Sequence, residues 1–296
     1  AYFQDPDGYG YMYHRQGSFG PGLKPLPDDE GLSVSHDADG DEKMTERFCA
    51  DVVAERRPRL AVLWQCEPDH TQHAVPLGSP AHMDVIARAD ANVGRVVAAI
   101  RENANGDDIL LIVASDHGHE TVGEVIPLER LLIEGGLKKG LGCREVVVAS
   151  NGFSAHVYVS DTARDRIGDI IRLLEGIDGI DRVFAGDDLE TVGHRTNTAL
   201  AVTVTAKRTD DTNEFGVPGI NAAFEDPLSS DTRMGNGQHG GLGRFEQGPF
   251  LVVHGGGFKV GAAGDEETSA IDIAPTVLRH LDMSFDDMDG NPLSKA

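Results

Sequence analysis

Two short segments of this chain bring Asp and His together immediately after runs of apolar residues. Residues 59–65 (RLAVLWQ) lead into Glu67-Pro68-Asp69-His70-Thr71-Gln72-His73, and residues 109–114 lead into Ser115-Asp116-His117-Gly118-His119. Carboxylates and imidazoles together are a ligand set for divalent transition metals, and open α/β sheets place their ligands at the carboxyl ends of strands. Polar loops follow strands in any protein. Two Asp/His pairs at two corresponding strand ends are not expected from that alone, so a shared metal centre is the favoured reading. A third cluster, Gly237-Gln238-His239-Gly240-Gly241, surrounds one His with glycines, as suits a tight loop that presents a single imidazole. Gly235-x-Gly237-x-x-Gly240 matches the dinucleotide-binding fingerprint in form only, because no strand precedes it and no helix follows.

The elements that must position these groups read as an α/β protein. Val85, Ala89, Val93, Val96 and Ile100 recur at three- and four-residue steps and predict an amphipathic helix ending near Asn105-Gly106. With the apolar runs at 59–65 and 109–114 on either side, this predicts a βαβ unit whose two strands are parallel and buried on both faces. Residues 1–43 read as irregular loop. Asp37-Ala38-Asp39-Gly40-Asp41 imitates the start of a calcium loop, but Glu42 and Phe48 occupy positions that need Gly and Glu. A helix entry capped near Asp41, with Met44, Phe48 and Val52 along one face and an end at Pro58, is the better reading. From 151 to 225 the texture changes: strands at 156–159 and 201–205 and a helix marked by Ile167, Ile170, Ile171 and Leu174 predict a small α+β cap inserted in the core. Residues 1–150 and 226–296 would form that core, with a strand at 250–253 and a last helix at 272–281 whose Pro275 falls in the first turn.

Taken in order, Asp69-x-x-x-His73, Gly78-Ser79-Pro80, Ser115-Asp116-His117-Gly118, Gln238-His239-Gly240 and Asp272-Ile273-Ala274-Pro275-Thr276 resemble the alkaline phosphatase superfamily. Within it the chain is most similar to the nucleotide pyrophosphatase/phosphodiesterase branch, and it also resembles phosphonoacetate hydrolase. Two positions depart from the branch: Gln72 where it usually has Gly, and His119 where it commonly has Met. The resemblance implies a mostly parallel sheet flanked by helices and two divalent metal ions, with zinc favoured by the imidazole-rich donor set. It implies Asp69, His73 and His239 on one ion and Asp116 and His117 on the other. His119 is expected to face the substrate or to support the ligands. The family's nucleophilic Thr or Ser, and the strand Asp that shares the second ion, have no counterpart before Lys43. The N-terminal part of the family domain is therefore expected to lie outside this chain, and no catalytic nucleophile is assigned within it.

The implied activity is hydrolysis of phosphodiester or pyrophosphate bonds in nucleotides or related small esters, through a covalent intermediate on that Thr or Ser. Phosphonate hydrolysis and phosphomonoester hydrolysis are the alternatives inside the fold. A metal-binding scaffold without turnover is the alternative outside it. Composition agrees with a globular protein, at 40% hydrophobic and 25% charged residues. With 49 acidic against 26 basic side chains the net charge is −23, which disfavours nucleic-acid polymers and anionic membranes as partners. No apolar run approaches a membrane span. Cys49, Cys66 and Cys143 read as reduced thiols, and the expected compartment is the cytoplasm. The expected partner is a small phosphate ester; the oligomeric state is left open.

Overall fold

The structure, a computed structural model, describes residues 10–14, 17–104, 108–229, 232–264 and 267–294. Its contacts divide the chain into two compact units. One comprises Ala1–Thr71, Met83–Val113 and Leu251–Ala296; the other comprises Gln72–His82 and Ala114–Phe250.

In the first unit, part of the segment expected to be irregular is an antiparallel meander of Met12–His14, Gly17–Gly20 and Lys24–Pro25. Alternating hydrophobicity does not signal it. Instead the Tyr11 and Tyr13 rings stack, with the Arg56 guanidinium 4.0 Å over the first and that of Arg47 4.9 Å over the second. Residues 1–9 of that segment lie outside the described ones.

The helix Ala38–Arg47 is capped by Asp37, whose carboxylate accepts from the Gly40 N–H at 2.9 Å. This corrects the expected cap at Asp41. Asp41 lies inside the helix, buried, and its carboxylate accepts the N–H groups of Cys66 at 3.0 Å and Glu67 at 2.9 Å. It therefore pins the start of the segment that leads to Asp69. A wider π-helical stretch, Phe48–Arg56, continues the helix to Arg57, which takes a left-handed conformation before Pro58.

The run 59–65 forms no strand, and Leu60, Val62 and Trp64 are exposed. Among the described residues Leu111–Ala114 therefore lacks the expected parallel pairing with it, and pairs with Leu251–His254. An apolar run fixes a preference for burial, not the identity of its hydrogen-bonding neighbour. The predicted helix is present as Pro80–Asn103, with Val85 and Val96 buried. Its expected stop at Asn105-Gly106 lies outside the described residues. The last helix, Ile273–His280, follows a capping box of Ser269 and Asp272, with Pro275 in its first turn. Among the described residues no helix is long and apolar enough to cross a membrane.

The second unit carries two sheets. In one, Val146–Asn151, Ser154–Val159, Leu200–Ala206 and Ile180–Ala185 form an antiparallel sheet, packed with the helix Ile167–Glu175. Ile170, Leu174, Val157, Val202 and Val204 are fully buried between them. This is the strand–helix–strand pattern read from 156 to 205. The other sheet has the order Arg208–Thr212, Pro218–Phe224, Glu120–Ile126, Gly237–Gln238. Its Pro218–Phe224 and Glu120–Ile126 strands are parallel, so parallel pairing occurs, but between partners the apolar runs did not point to. This second sheet positions the histidines.

Candidate metal centre

His117 and His119 immediately precede the strand Glu120–Ile126, and His239 immediately follows the strand Gly237–Gln238. Those strands are antiparallel, with Gly237 opposite Thr121 and Gln238 opposite Glu120. One further step in that register sets His239 opposite His119. Sheet pairing thus brings together two residues 120 positions apart in the chain. His73, one residue beyond the helical turn Asp69–Gln72, joins them from the other side. Its Nδ1 lies 3.0 Å from the Gly237 carbonyl and 2.6 Å from Nη1 of Arg233, able to donate to the first or accept from the second according to tautomer.

The four imidazoles form one cluster. Ring centroids lie 3.7 Å apart for His117 and His239, 5.0 Å for His73 and His119, and 5.1 Å for His73 and His239. His119 lies 5.3 Å from His117 and 5.1 Å from His239. One ring nitrogen from each of His117, His119 and His239 falls within 4.8 Å of the other two. The carbonyl of Gly118, 3.1 Å from His117 Nδ1, can only accept, so Nδ1 is the donor in that hydrogen bond.

Close backbone packing explains the glycines. Gly152 (φ +68°) and Gly240 (φ +98°) face each other across the hairpin 151–154 and the His239 loop. A Cβ on Gly152 would overlap the His239 carbonyl oxygen, and one on Gly240 would overlap that of Asn151. The Phe153 N–H donates to the His239 carbonyl at 3.1 Å.

Two buried carboxylates hold the loops from behind. Glu246 accepts from the N–H groups of Gly241 at 2.8 Å and Gly243 at 2.7 Å, while its own carbonyl accepts from Gly118 at 2.7 Å. Burial pushes its carboxyl above the ordinary range, against the pull of those N–H donors. Glu120, fully buried, accepts from Arg208 Nε at 3.1 Å, Asn221 Nδ2 at 3.2 Å and the Phe245 N–H at 3.1 Å.

Of the residues singled out from sequence, the structure brings His73, His117, His119 and His239 together. Asp116 has a half-exposed side chain; its Oδ1 accepts the His117 N–H at 3.1 Å and its Oδ2 lies 3.5 Å from His117 Nε2. Asp69 opens the helical turn that precedes His73 and belongs to the first unit. Sequence reasoning did not single out Glu120, Glu246, Arg208 or Arg233, since one Glu or Arg among many carries no mark. Asn151 and Gly152 form a hairpin turn, and they also line a cavity of about 360 Å³ with His73, Arg233, Gln238 and His239.

Three imidazole nitrogens within reach of one point suit a transition cation of zinc's kind, whose nitrogen bonds are about 2.0–2.1 Å. The donor set fits such an ion.

A profile of the type I phosphodiesterase / nucleotide pyrophosphatase family matches residues 13–179, more than half of the chain. No curated protein matches. Among solved structures, murine ectonucleotide pyrophosphatase/phosphodiesterase 5 aligns with TM-score 0.62 and 22% identity, covering 90% of this chain and 65% of that one. The human protein of the same name aligns with TM-score 0.62 and 19% identity, covering 91% of this chain and 65% of that one. A phosphonoacetate hydrolase from Sinorhizobium meliloti 1021 aligns at TM-score 0.48 and 18% identity, over 78% of this chain and 52% of that one. The chain thus spans about 65% of the length of the two phosphodiesterase structures. Their identities speak to the fold, which is shared; the profile match speaks to descent. This chain belongs to the type I phosphodiesterase / nucleotide pyrophosphatase family of the alkaline phosphatase superfamily.

Proposed function

We propose that the chain forms part of a metal-dependent hydrolase of phosphodiester or pyrophosphate bonds in nucleotides or related small esters, working with two divalent cations, zinc foremost. The observation that carries this reading is the convergence of His73, His117, His119 and His239, three of them inside the segment matched by the family profile. In the order of the family motifs, one cation falls to Asp69, His73 and His239 and the other to Asp116 and His117. Asp69 is included by its place four residues before His73 in the sequence. A divalent cation so held supplies Lewis acidity toward a phosphoryl oxygen and acidifies a coordinated water.

The chain's own groups set the stage for that chemistry. The Gly118 carbonyl holds the His117 ring through Nδ1, and the Gly237 carbonyl is placed to do the same for His73. Arg233 lines the cavity beside His73 and His239 and offers guanidinium N–H donors to the anionic oxygens of an ester. The attacking group in this reading is a Thr or Ser hydroxyl from outside residues 1–296. It displaces the leaving alcohol or phosphate, and water then cleaves the phosphorylated side chain.

Bis-p-nitrophenyl phosphate, p-nitrophenyl phosphate and phosphonoacetate, each with and without a chelator, test the proposal on a protein that carries this chain together with the segment supplying the Thr or Ser. Preference for the diester that is lost on chelation and restored by zinc is the expected result. Equal rates with chelator overturn it, and cation binding without turnover of any of the three would leave a metal-binding scaffold.

A further inference from the structure

We infer that His119 is itself a metal ligand, a sixth side chain added to the five assigned above, with its imidazole placed beside those of His117 and His239. The inference rests on the metal-binding part of the reading above and goes beyond it. The family pattern has Met at this position and assigns it no ligand, and the sequence suggested a group that faces the substrate or supports the ligands.

Three observations favour the ligand. First, the antiparallel register of Gly237–Gln238 on Glu120–Ile126 sets His119 opposite His239, so the pairing that builds the sheet also builds the site. Second, a nitrogen of His119 lies within 4.8 Å of nitrogens of both His117 and His239. Third, His119 is the most buried of the four rings, at 9% exposure, and the cavity beside the cluster is lined by His73 and His239 but not by His119. A substrate-facing group belongs on the open side; His119 stands behind.

Neutral imidazole is the ligand form for a divalent transition cation of this class.

Cobalt(II) and zinc titrations of the full chain test this, read by visible absorption and calorimetry. The variants are His119→Met, which restores the family residue, and His119→Gln, with His194→Gln as a control outside the cluster. Both His119 variants should lose more than the roughly 10–100-fold in affinity that removing a group outside the ligand set costs, and the cobalt spectrum should change. Nitrogen-15 shifts of the histidines in the unaltered protein, with and without zinc, give a second reading that needs no variant: the His119 ring should move with those of His117 and His239. Unchanged affinity and spectrum in His119→Met, or a His119 ring that does not respond to zinc, overturn the inference while leaving the metal site standing. A wild-type chain that takes up neither ion overturns the broader reading as well.

Discussion

Glu246 accepts the Gly118 N–H on its backbone carbonyl at 2.7 Å, and so ties the loop of His117 to the loop of His239, which its carboxylate holds through Gly241 and Gly243. One residue thus grips both turns that present imidazoles. Its carboxylate is buried and raised in pKa by that burial, an arrangement that exposed loops do not need. Glu246→Gln keeps the volume but replaces one accepting oxygen with a donor that faces a backbone N–H. Cation affinity should fall about 10–100-fold, as for groups that orient ligands without binding the metal. Calorimetry with zinc checks this. Glu246→Asp, which keeps both acceptors, should recover part of the loss, and unchanged affinity in Glu246→Gln would remove Glu246 from the positioning role.

Gly152 is predicted to tolerate no side chain, because it has φ +68° and its absent Cβ would overlap the His239 carbonyl. The left-handed conformation alone costs an L-residue about 1–2 kcal/mol. Gly216 has φ +77° but open space around its Cβ position, so Gly216→Ala reports that cost by itself. Gly152→Ala should lose more stability than Gly216→Ala in urea unfolding, and it alone should weaken zinc binding by displacing His239. Equal losses in the two variants would show that the hairpin adjusts without moving the histidine.

How much of this was legible in the sequence depends on whether the determining contact is local. The His-bearing motifs could be read because residue type and strand-end position define them, and the helix at 80–103 could be read from its period. The convergence of His119 and His239 could not, since it depends on a two-residue strand, Gly237–Gln238, too short to show alternation. The parallel partner of Glu120–Ile126 was likewise hidden, because pairing is chosen by tertiary packing and not by the run itself. Glu120 and Glu246 look like any of the acidic residues of a chain with a −23 charge until burial singles them out.

His156 should make stability fall in acid. Its ring is half-buried on the sheet strand Ser154–Val159, with Nδ1 3.0 Å from Thr203 Oγ1 and the His194 ring 5.0 Å away. Burial first, and the neighbouring His194 second, lower its pKa from the ordinary 6.5. The folded pKa therefore lies below the unfolded one. As pH drops the unfolded chain takes up the proton first, so the contribution is present above about 6.5 and is lost as pH falls through the folded value. Urea midpoints measured from pH 7.5 to 5 should decline less steeply in His156→Gln than in the parent. Parallel curves would show that the ring titrates alike in both states.

The Arg208–Glu120 pair makes the sharpest stability prediction. Glu120 is fully buried, and Arg208 supplies its only positive partner among the described residues, with Nε at 3.1 Å and 3.3 Å from the two carboxylate oxygens. Asn221 and the Phe245 N–H share the remaining load. Arg208→Ala strips the cation from a fully buried carboxylate, a change that costs up to about 3–5 kcal/mol when one partner of a buried pair is removed. Adding Glu120→Gln removes the unpaired carboxylate while keeping the shape and one acceptor oxygen. The double variant should therefore be more stable than Arg208→Ala alone, a non-additivity opposite to that of independent sites. Because Glu120 directly follows His119, the single variant should also bind zinc less tightly, with affinity following stability back in the double variant. Additive losses in a urea double-mutant cycle would mean that Glu120 is carried by Asn221 and the backbone, with Arg208 a bystander.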